Sequence, residues 1–227
     1  MGLFLFNLNY ILIYYATYEL TTGLISVLFG CVQIFNMLIG YLVLKDRITL
    51  PMLIGACVGI GGIALVFWPE IDQLEMSGPV LQSIGLALMG TLSASIGMVS
   101  SARFQRLKLP VLQTNAWGMT WGCLWMTLYV LLSGIQWDFE VTTRYIGSLL
   151  WLAIPSTVFG FGCFLTLVGR IGAARASYAM IIFPIVALLL STLFEGYHWT
   201  LIAALGVILA ITGNVIIMLG KQKSAGS

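Results

Sequence analysis

Residues 22–68 read TGLISVLFGCVQIFNMLIGYLVL, then KDRIT, then LPMLIGACVGIGGIALVFW. Two uncharged apolar runs, 22–44 and 50–68, are separated by one short turn that carries Lys45, Asp46 and Arg47. A helix needs roughly 20 apolar residues to cross the hydrocarbon of a bilayer, and each run supplies about that many. The same alternation fills the chain, with further spans at 3–18, 80–102, 111–134, 146–169, 173–194 and 199–219. Charged residues make up 8% of the protein and its mean hydropathy is +1.03, against about 25% charged in a soluble domain. Lipid offers no partner to an unpaired backbone group, and the runs are too long and uniform for barrel strands, so each span is a helix. The expected fold is an all-α polytopic membrane protein of eight transmembrane helices, with no separate soluble domain.

Charge orients the bundle. When the spans are threaded alternately, Lys45, Arg47, Arg103, Arg106, Lys108, Arg170, Arg175, Lys221 and Lys223 fall on one side and Arg144 on the other. The positive-inside rule makes that side the cytoplasm, so both termini are expected there, in a cell (inner or plasma) membrane. The acids sort oppositely: Glu19, Glu70, Asp72, Glu75, Asp138, Glu140 and Glu195 are outside, and Asp46 is inside. The net charge of +2 thus reflects cytoplasmic turns and not a nucleic-acid surface.

Several chemistries are excluded at this stage. Cys31, Cys57, Cys123 and Cys163 stand singly in four spans, without the spacing of a metal site or a disulfide framework, and read as small apolar core residues. His198 sits in an outer turn beside Trp199. An intramembrane enzyme needs a nucleophile with a base, or metal ligands, at depth; no Asp, Glu, Lys, Arg or His occupies the middle of any span. No enzyme activity, metal or cofactor is expected.

An internal repeat organises the spans. At an offset of 149, Gly23 meets Gly172, Leu44 meets Leu193 and Asp46 meets Glu195; after a turn two residues longer in the second copy, Gly55 meets Gly206, Ile60 meets Ile211 and Gly62 meets Gly213. Five spans separate the start of one copy from the start of the other, so the copies cross the membrane in opposite directions. Inverted repeats of this kind mark secondary transporters, whose substrate site lies near the midplane.

These residues resemble a known family. Leu44-Lys45-Asp46-Arg47 followed by Gly55 and Gly62, and Pro184 and Glu195 followed by Gly206 and Gly213, are similar to the ends of the two halves of an EamA-type member of the drug/metabolite transporter superfamily. The resemblance implies ten helices in two inverted halves of five, and export of amino acids or other small metabolites. Two departures stand out. Residues 1–68 supply three helices of the first half, so the usual first two are lacking, while 80–220 supply five, with 221–227 as a tail. Phe35 stands where the position matching Pro184 calls for proline.

Polar residues at depth are the candidate substrate contacts. Gln33 and Asn36 lie near the centre of the second span, Ser93 and Ser95 of the fourth, Trp121 of the fifth and Thr157 of the sixth, with Asn115 and Tyr178 nearer the cytoplasm. An uncompensated amide in hydrocarbon is costly, so Gln33 and Asn36 face protein or a wet cavity. Helix–helix hydrogen bonds and substrate contact are both open to them. Trp117, Trp121 and Trp125 form one stripe, which is either packing or the aromatic wall of a pocket. Gly55, Gly59 and Gly62 allow a close helix approach, as do Gly206 and Gly213, and Pro184 is a kink or a hinge.

The expected function is a permease that exports small neutral or zwitterionic metabolites, such as amino acids, by alternating access. The alternative is a non-transporting or truncated membrane subunit. Its partners are the lipid bilayer and a small-molecule substrate, with a homo-oligomer or a partner chain possible. Because three plus five helices leave faces of the first three uncovered, a lateral opening lined by Asn7, Asn9, Gln33 or Asn36 is expected beside them.

Overall fold

A computed structural model of the chain describes residues 1–72, 74–134, 140–171, 176 and 200–222. Among these the regular elements are helices: α1 (Phe4–Ala16), α2 (Thr22–Leu44), α3 (Leu50–Val66), α4 (Gly78–Arg106), α5 (Val111–Leu132), α6 (Thr143–Ile171) and α7 (Leu201–Gln222), with one short turn of helix at Trp68–Asp72. They coincide with the first six spans and the eighth. The seventh span, with Tyr178 and Pro184, lies outside the described residues except for Ala176, which is helical and buried. Three helices, α2, α4 and α6, are long and apolar enough to cross a membrane by themselves; α1 and α3 are shorter apolar helices, and so is Leu201–Gly213 of α7.

The helix starts follow from capping. The hydroxyls of Thr21, Ser77, Thr142 and Thr200 accept the backbone N–H of Leu24, Val80, Tyr145 and Ala203 at 3.3, 3.4, 3.2 and 3.1 Å. Each satisfies a donor that the first helical turn leaves open. Pro51 and Pro79 stand in the first turns of α3 and α4, where a missing N–H costs nothing. The cap at Ser77 starts α4 earlier than hydropathy indicates. Its last turn extends to Arg103 and Arg106, cations that the carbonyl end of a helix favours.

Contacts fix the directions. Leu5 lies against Gly97 and Ile13 against Gly90, so α1 and α4 are antiparallel. Val32 pairs with Ser95, Asn36 with Met98 and Leu44 with Arg106, so α2 and α4 run parallel. Gly2 meets Gly118, Phe6 meets Gly122 and Tyr15 meets Tyr129, so α1 and α5 run parallel. Gly23 against Phe67 and Gly30 against Ile63 make α2 and α3 antiparallel. Every one of these pairs obeys strict alternation along the chain. Lys45, Arg47, Arg103, Arg106, Lys108 and Arg170 therefore gather at one end of the bundle, and Glu19, Asp72, Glu75 and Glu140 at the other.

Two kinds of seam hold the bundle. The first is α3 against α7. A Cβ placed on Gly206 would lie 2.6 Å from the Gly62 carbonyl oxygen and 2.7 Å from the Val66 nitrogen. One on Gly213 would lie 2.5 Å from both the Gly55 oxygen and the Gly59 nitrogen. The two backbones touch, and only glycine fits between them. The second seam runs around α4, the most enclosed long helix, where Leu5, Val32, Ala94, Met98, Ala102, Leu165 and Val168 pack into one core.

Candidate functional site

The α4 core is not purely apolar. Asn7 and Asn9 on α1, Gln33 and Asn36 on α2, Ser93 and Ser95 on α4 and Asn115 on α5 are all at most 8% exposed. An amide in the middle of a helix has no claim on the helix's own backbone bonds, so each of these needs a partner from another element.

Part of that need is met. Ser93 Oγ donates to the Phe4 carbonyl at 2.9 Å and Ser95 Oγ to the Val32 carbonyl at 3.3 Å. These two hydroxyls fasten α4 to α1 and α2. Asn7 Nδ2 donates to the Gly122 carbonyl at 3.4 Å, which ties α1 to α5. Asn36 Nδ2 reaches only the Met98 sulfur, at 3.6 Å, a weak acceptor. The rest is unmet: Asn9 Oδ1, Gln33 Oε1, Asn36 Oδ1 and Asn115 Oδ1 are buried and have no partner. Leaving a buried acceptor unmade costs about 1–3 kcal/mol each.

The bundle thus brings Gln33, Asn36, Ser93 and Ser95 to the middle of α4, joined by Asn7 and Asn9 from α1. Asn115 lies a turn nearer the basic end, in the second turn of α5. These amides do not line a lateral opening; protein encloses all of them, because α1 lies between α4 and α5 with its first residues against Gly97, Gly118 and Gly122. Small residues on both neighbours let α1 approach closely enough to cover the polar centre.

Trp121 stands apart. It is 53% exposed, and Trp117 and Trp125 on the same stripe are exposed as well, so the stripe is not walled in with the amides. Thr157 is committed elsewhere. Pro155 has no N–H, and residues Leu152–Gly160 take a π-helical path around it; the Thr157 hydroxyl donates to the Leu152 carbonyl at 2.8 Å. That bond keeps the hydroxyl on its own helix's backbone.

At the basic end, Arg106 donates to both Asp46 oxygens, at 2.7 and 3.0 Å, and to the Leu44 carbonyl at 2.9 Å. Residues Gly40–Leu44 form a π-helical turn, and Lys45 closes α2 in the left-handed region at φ 56°, which turns Asp46 back toward α4. Gln105 donates to Ser101 Oγ at 3.2 Å and to the Leu165 carbonyl at 3.0 Å. The ends of α2, α4 and α6 are therefore tied by polar contacts. At the other end Tyr15 and Tyr129 join α1 to α5 through their hydroxyls at 2.6 Å. Among the described residues no group of three His, Cys, Asp or Glu side chains gathers to hold a metal ion.

Sequence reasoning missed the Met98 partner of Asn36 and the Gln105 link to α6. Neither carries a sequence signal beyond a polar or sulfur-bearing residue in a long helix. Sequence reasoning also passed over Pro155, whose place inside an apolar span is the signal for the π-helical stretch.

Comparison with known proteins agrees with this architecture. A solved crystal structure superposes with a TM-score of 0.76 at 13% identity, covering 94% of this chain and 73% of that one. The uncharacterized transporter YoaV of Bacillus subtilis is 26% identical over 195 residues, 85% of this chain and 65% of its own length. An uncharacterized transporter of Archaeoglobus fulgidus is 23% identical over 96% of this chain and 75% of its own length. A probable amino-acid metabolite efflux pump of Salmonella typhimurium is 24% identical over 89% of this chain and 69% of its own length. The chain spans about two thirds of the length of such relatives. The profile of the EamA-like transporter family matches residues 1–68 and 81–219, and with the helices and seams described above in place, the chain belongs to that family of membrane transporters.

Proposed function

We propose that this chain is a permease that exports small neutral or zwitterionic metabolites, amino acids among them, across the cell membrane by alternating access. One observation carries the reading: buried amide oxygens without partners sit in the middle of the α4 seam, where a purely structural core has no reason to place them. Their cost is explained if a substrate completes them for part of the cycle. The likeness to an amino-acid metabolite efflux pump points to the same substrate class. No Asp, Glu, Lys, Arg or His lies at mid-depth on a described helix, which favours substrates without net charge.

The inverted repeat belongs to the same reading, with residues 1–68 as three helices of one half and 80–220 as five of the other. It is supported by the α3–α7 crossing. Gly55 touches Gly213 and Gly62 touches Gly206, and exchanging each residue for its repeat mate (Gly55 with Gly206, Gly62 with Gly213) turns one contact into the other. The basic end is assigned to the cytoplasm by the positive-inside rule.

Purified protein in liposomes tests the reading. Efflux of a labelled neutral amino acid above protein-free liposomes is expected, with no transport of phosphorylated metabolites. No flux of any amino acid would leave the chain as a non-transporting subunit. Sidedness is tested by single cysteines in a cysteine-free background. One at Gln73 or Asp138 reacts with an impermeant thiol reagent applied outside, and one at Lys108 or Lys223 does not; outside labelling at Lys108 would reverse the orientation.

A further inference from the structure

Helix α6 joins two unlike segments in one span. Its inner part, Phe161–Ile171, is docked. Leu165 and Val168 are at most 1% exposed in the core around α4, and Phe161 meets Phe6 of α1 edge-on with ring centroids 5.3 Å apart. The outer part, 143–160, has no buried residue among those described, and only Ile146 and Thr157 are half-covered. The glycines of α6 change in the same way along the span. A Cβ on Gly147 or Gly162 would meet nothing within 4 Å, and one on Gly160 meets only the Pro155 carbonyl of its own helix. One on Gly169 would fall on the Gln105 carboxamide of α4. Between the parts runs the π-helical stretch Leu152–Gly160 around Pro155, whose missing N–H and wide turns make it the place where the span bends.

The inner part is fastened by a contact that can be exchanged. Gln105, in the last turn of α4, is half-buried. Its Nε2 donates to the Leu165 carbonyl at 3.0 Å and to Ser101 Oγ at 3.2 Å, and its carboxamide occupies the place where a side chain on residue 169 would stand. At the basic end of the bundle water can replace such a bond at small net cost, unlike the backbone contact of α3 with α7. The outer part, without a packed face, forgoes the dispersion contacts that hold helices together in lipid, so a second, better-packed position is open to it. We propose that α6 rocks about the Pro155 stretch, with Gln105 on Gly169 as the latch that holds its inner end shut in this state. When Gln105 lets go, the inner end parts from α4 and the outer part packs onto its neighbours α1 and α5, whose Leu128, Leu131 and Leu132 are exposed on the outer half of α5. This rests on the permease reading above and gives its cycle a moving part: the two positions open the bundle at opposite ends in turn.

The test reads distances between spin labels in purified protein, a readout that needs no flux, with Cys31, Cys57, Cys123 and Cys163 replaced. One labelled pair, Leu107→Cys with Ile171→Cys, spans the inner ends of α4 and α6. The other, Tyr18→Cys with Arg144→Cys, spans the outer ends of α1 and α6. All four positions are exposed. Gln105→Glu keeps the size of the side chain and removes its donor. Gly169→Ala puts a methyl in the seat of the latch, and the flexible end of Gln105 can swing aside; Gln105→Glu decides alone if Gly169→Ala is poorly made. In either variant the inner distribution should gain a longer component and the outer one a shorter component. Their populations should change about fivefold, the weight of one hydrogen bond. The double variant should match the singles and not add to them, because both break one contact. The proposal is overturned if the inner pair lengthens while the outer pair stays, which would make Gln105 a static tie, if neither pair moves, or if the two variants add. Opposite distance changes without flux in the parent protein would sink the permease reading and spare the latch; flux in the parent without those changes would sink the latch alone.

Discussion

The seam between α3 and α7 and the seam around α4 are built on opposite principles. In the first, Gly55, Gly59 and Gly62 face Gly206, Ala210 and Gly213 at backbone contact. Small residues let two helices gain dispersion contacts along their length where lipid gives no hydrophobic drive for association. In the second, seven buried polar side chains lie between α1, α2, α4 and α5, and several of their oxygens are unpaired. A membrane protein under no demand but stability would make both seams like the first. Under the proposed permease the contrast gives them different work: α3–α7 holds two helices at backbone contact, and the α4 seam is the proposed place where a polar molecule is bound and passed on.

The largest effect is expected from filling the glycine seam. Gly206→Val or Gly213→Val pushes a side chain into the backbone of α3 and should cost about 3 kcal/mol or more. The check is yield of monodisperse protein in detergent and its thermal midpoint. A well-folded Gly213→Val protein would show that α3 and α7 stand further apart than described.

The polar seam should respond in the opposite sense. Asn36→Leu should lower amino-acid flux at least tenfold, yet leave stability unchanged or raise it by about 1 kcal/mol, because it removes an unsatisfied oxygen at the cost of one weak bond to sulfur. Loss of both flux and stability together would reduce Asn36 to a packing residue, and the comparison would collapse. Ser95→Ala separates the two roles within the same seam. It removes one bond between α4 and α2, so about 1 kcal/mol of stability should go with flux changed less than in Asn36→Leu. Thermal midpoints and initial rates, measured side by side, decide.

The smallest effect belongs to the basic end. The Arg106–Asp46 pair has side chains 49% exposed, and pairs of that kind contribute about 0–1 kcal/mol. Asp46→Asn should therefore keep its flux, with a slightly lowered thermal midpoint whose difference from the parent shrinks at high salt. Abolished flux at normal yield would make Asp46 part of the transport chemistry.

Helix positions, alternation and the glycine stripes were legible because each is written in long periodic runs: an uninterrupted apolar span has one stable state in lipid. Gln33 and Asn36 could be placed at depth by counting from Thr22 and Leu44. What counting could not supply was partnership. Ser93 and Ser95 look alike with Gln33 and Asn36 in sequence, as small polar residues at mid-span. In the structure the serines are satisfied by carbonyls of neighbouring helices and the amides are not. Such contacts join residues 63 to 89 positions apart, so no local pattern encodes them. Trp121 differs from the amides for a related reason: depth says nothing of which face a residue takes, and its side chain is half exposed. The enclosure of Asn7 and Asn9 depends on α1 meeting Gly97 and Gly122, positions far downstream that only the assembled bundle brings to it.

The central claim is that the α4 seam works while the α3–α7 seam holds still. Single cysteines at Ser95 and at Ala203, both fully buried, test it directly in protein lacking Cys31, Cys57, Cys123 and Cys163. Reaction with a small thiol reagent is followed with and without a transported amino acid. The Ser95→Cys thiol should change its rate about tenfold on adding substrate, the signature of a shift of about 1.4 kcal/mol between closed and open states. The Ala203→Cys thiol, on the glycine-bearing face of α7, should stay unreactive throughout. A substrate-dependent thiol at Ala203 with a silent one at Ser95 would contradict the account.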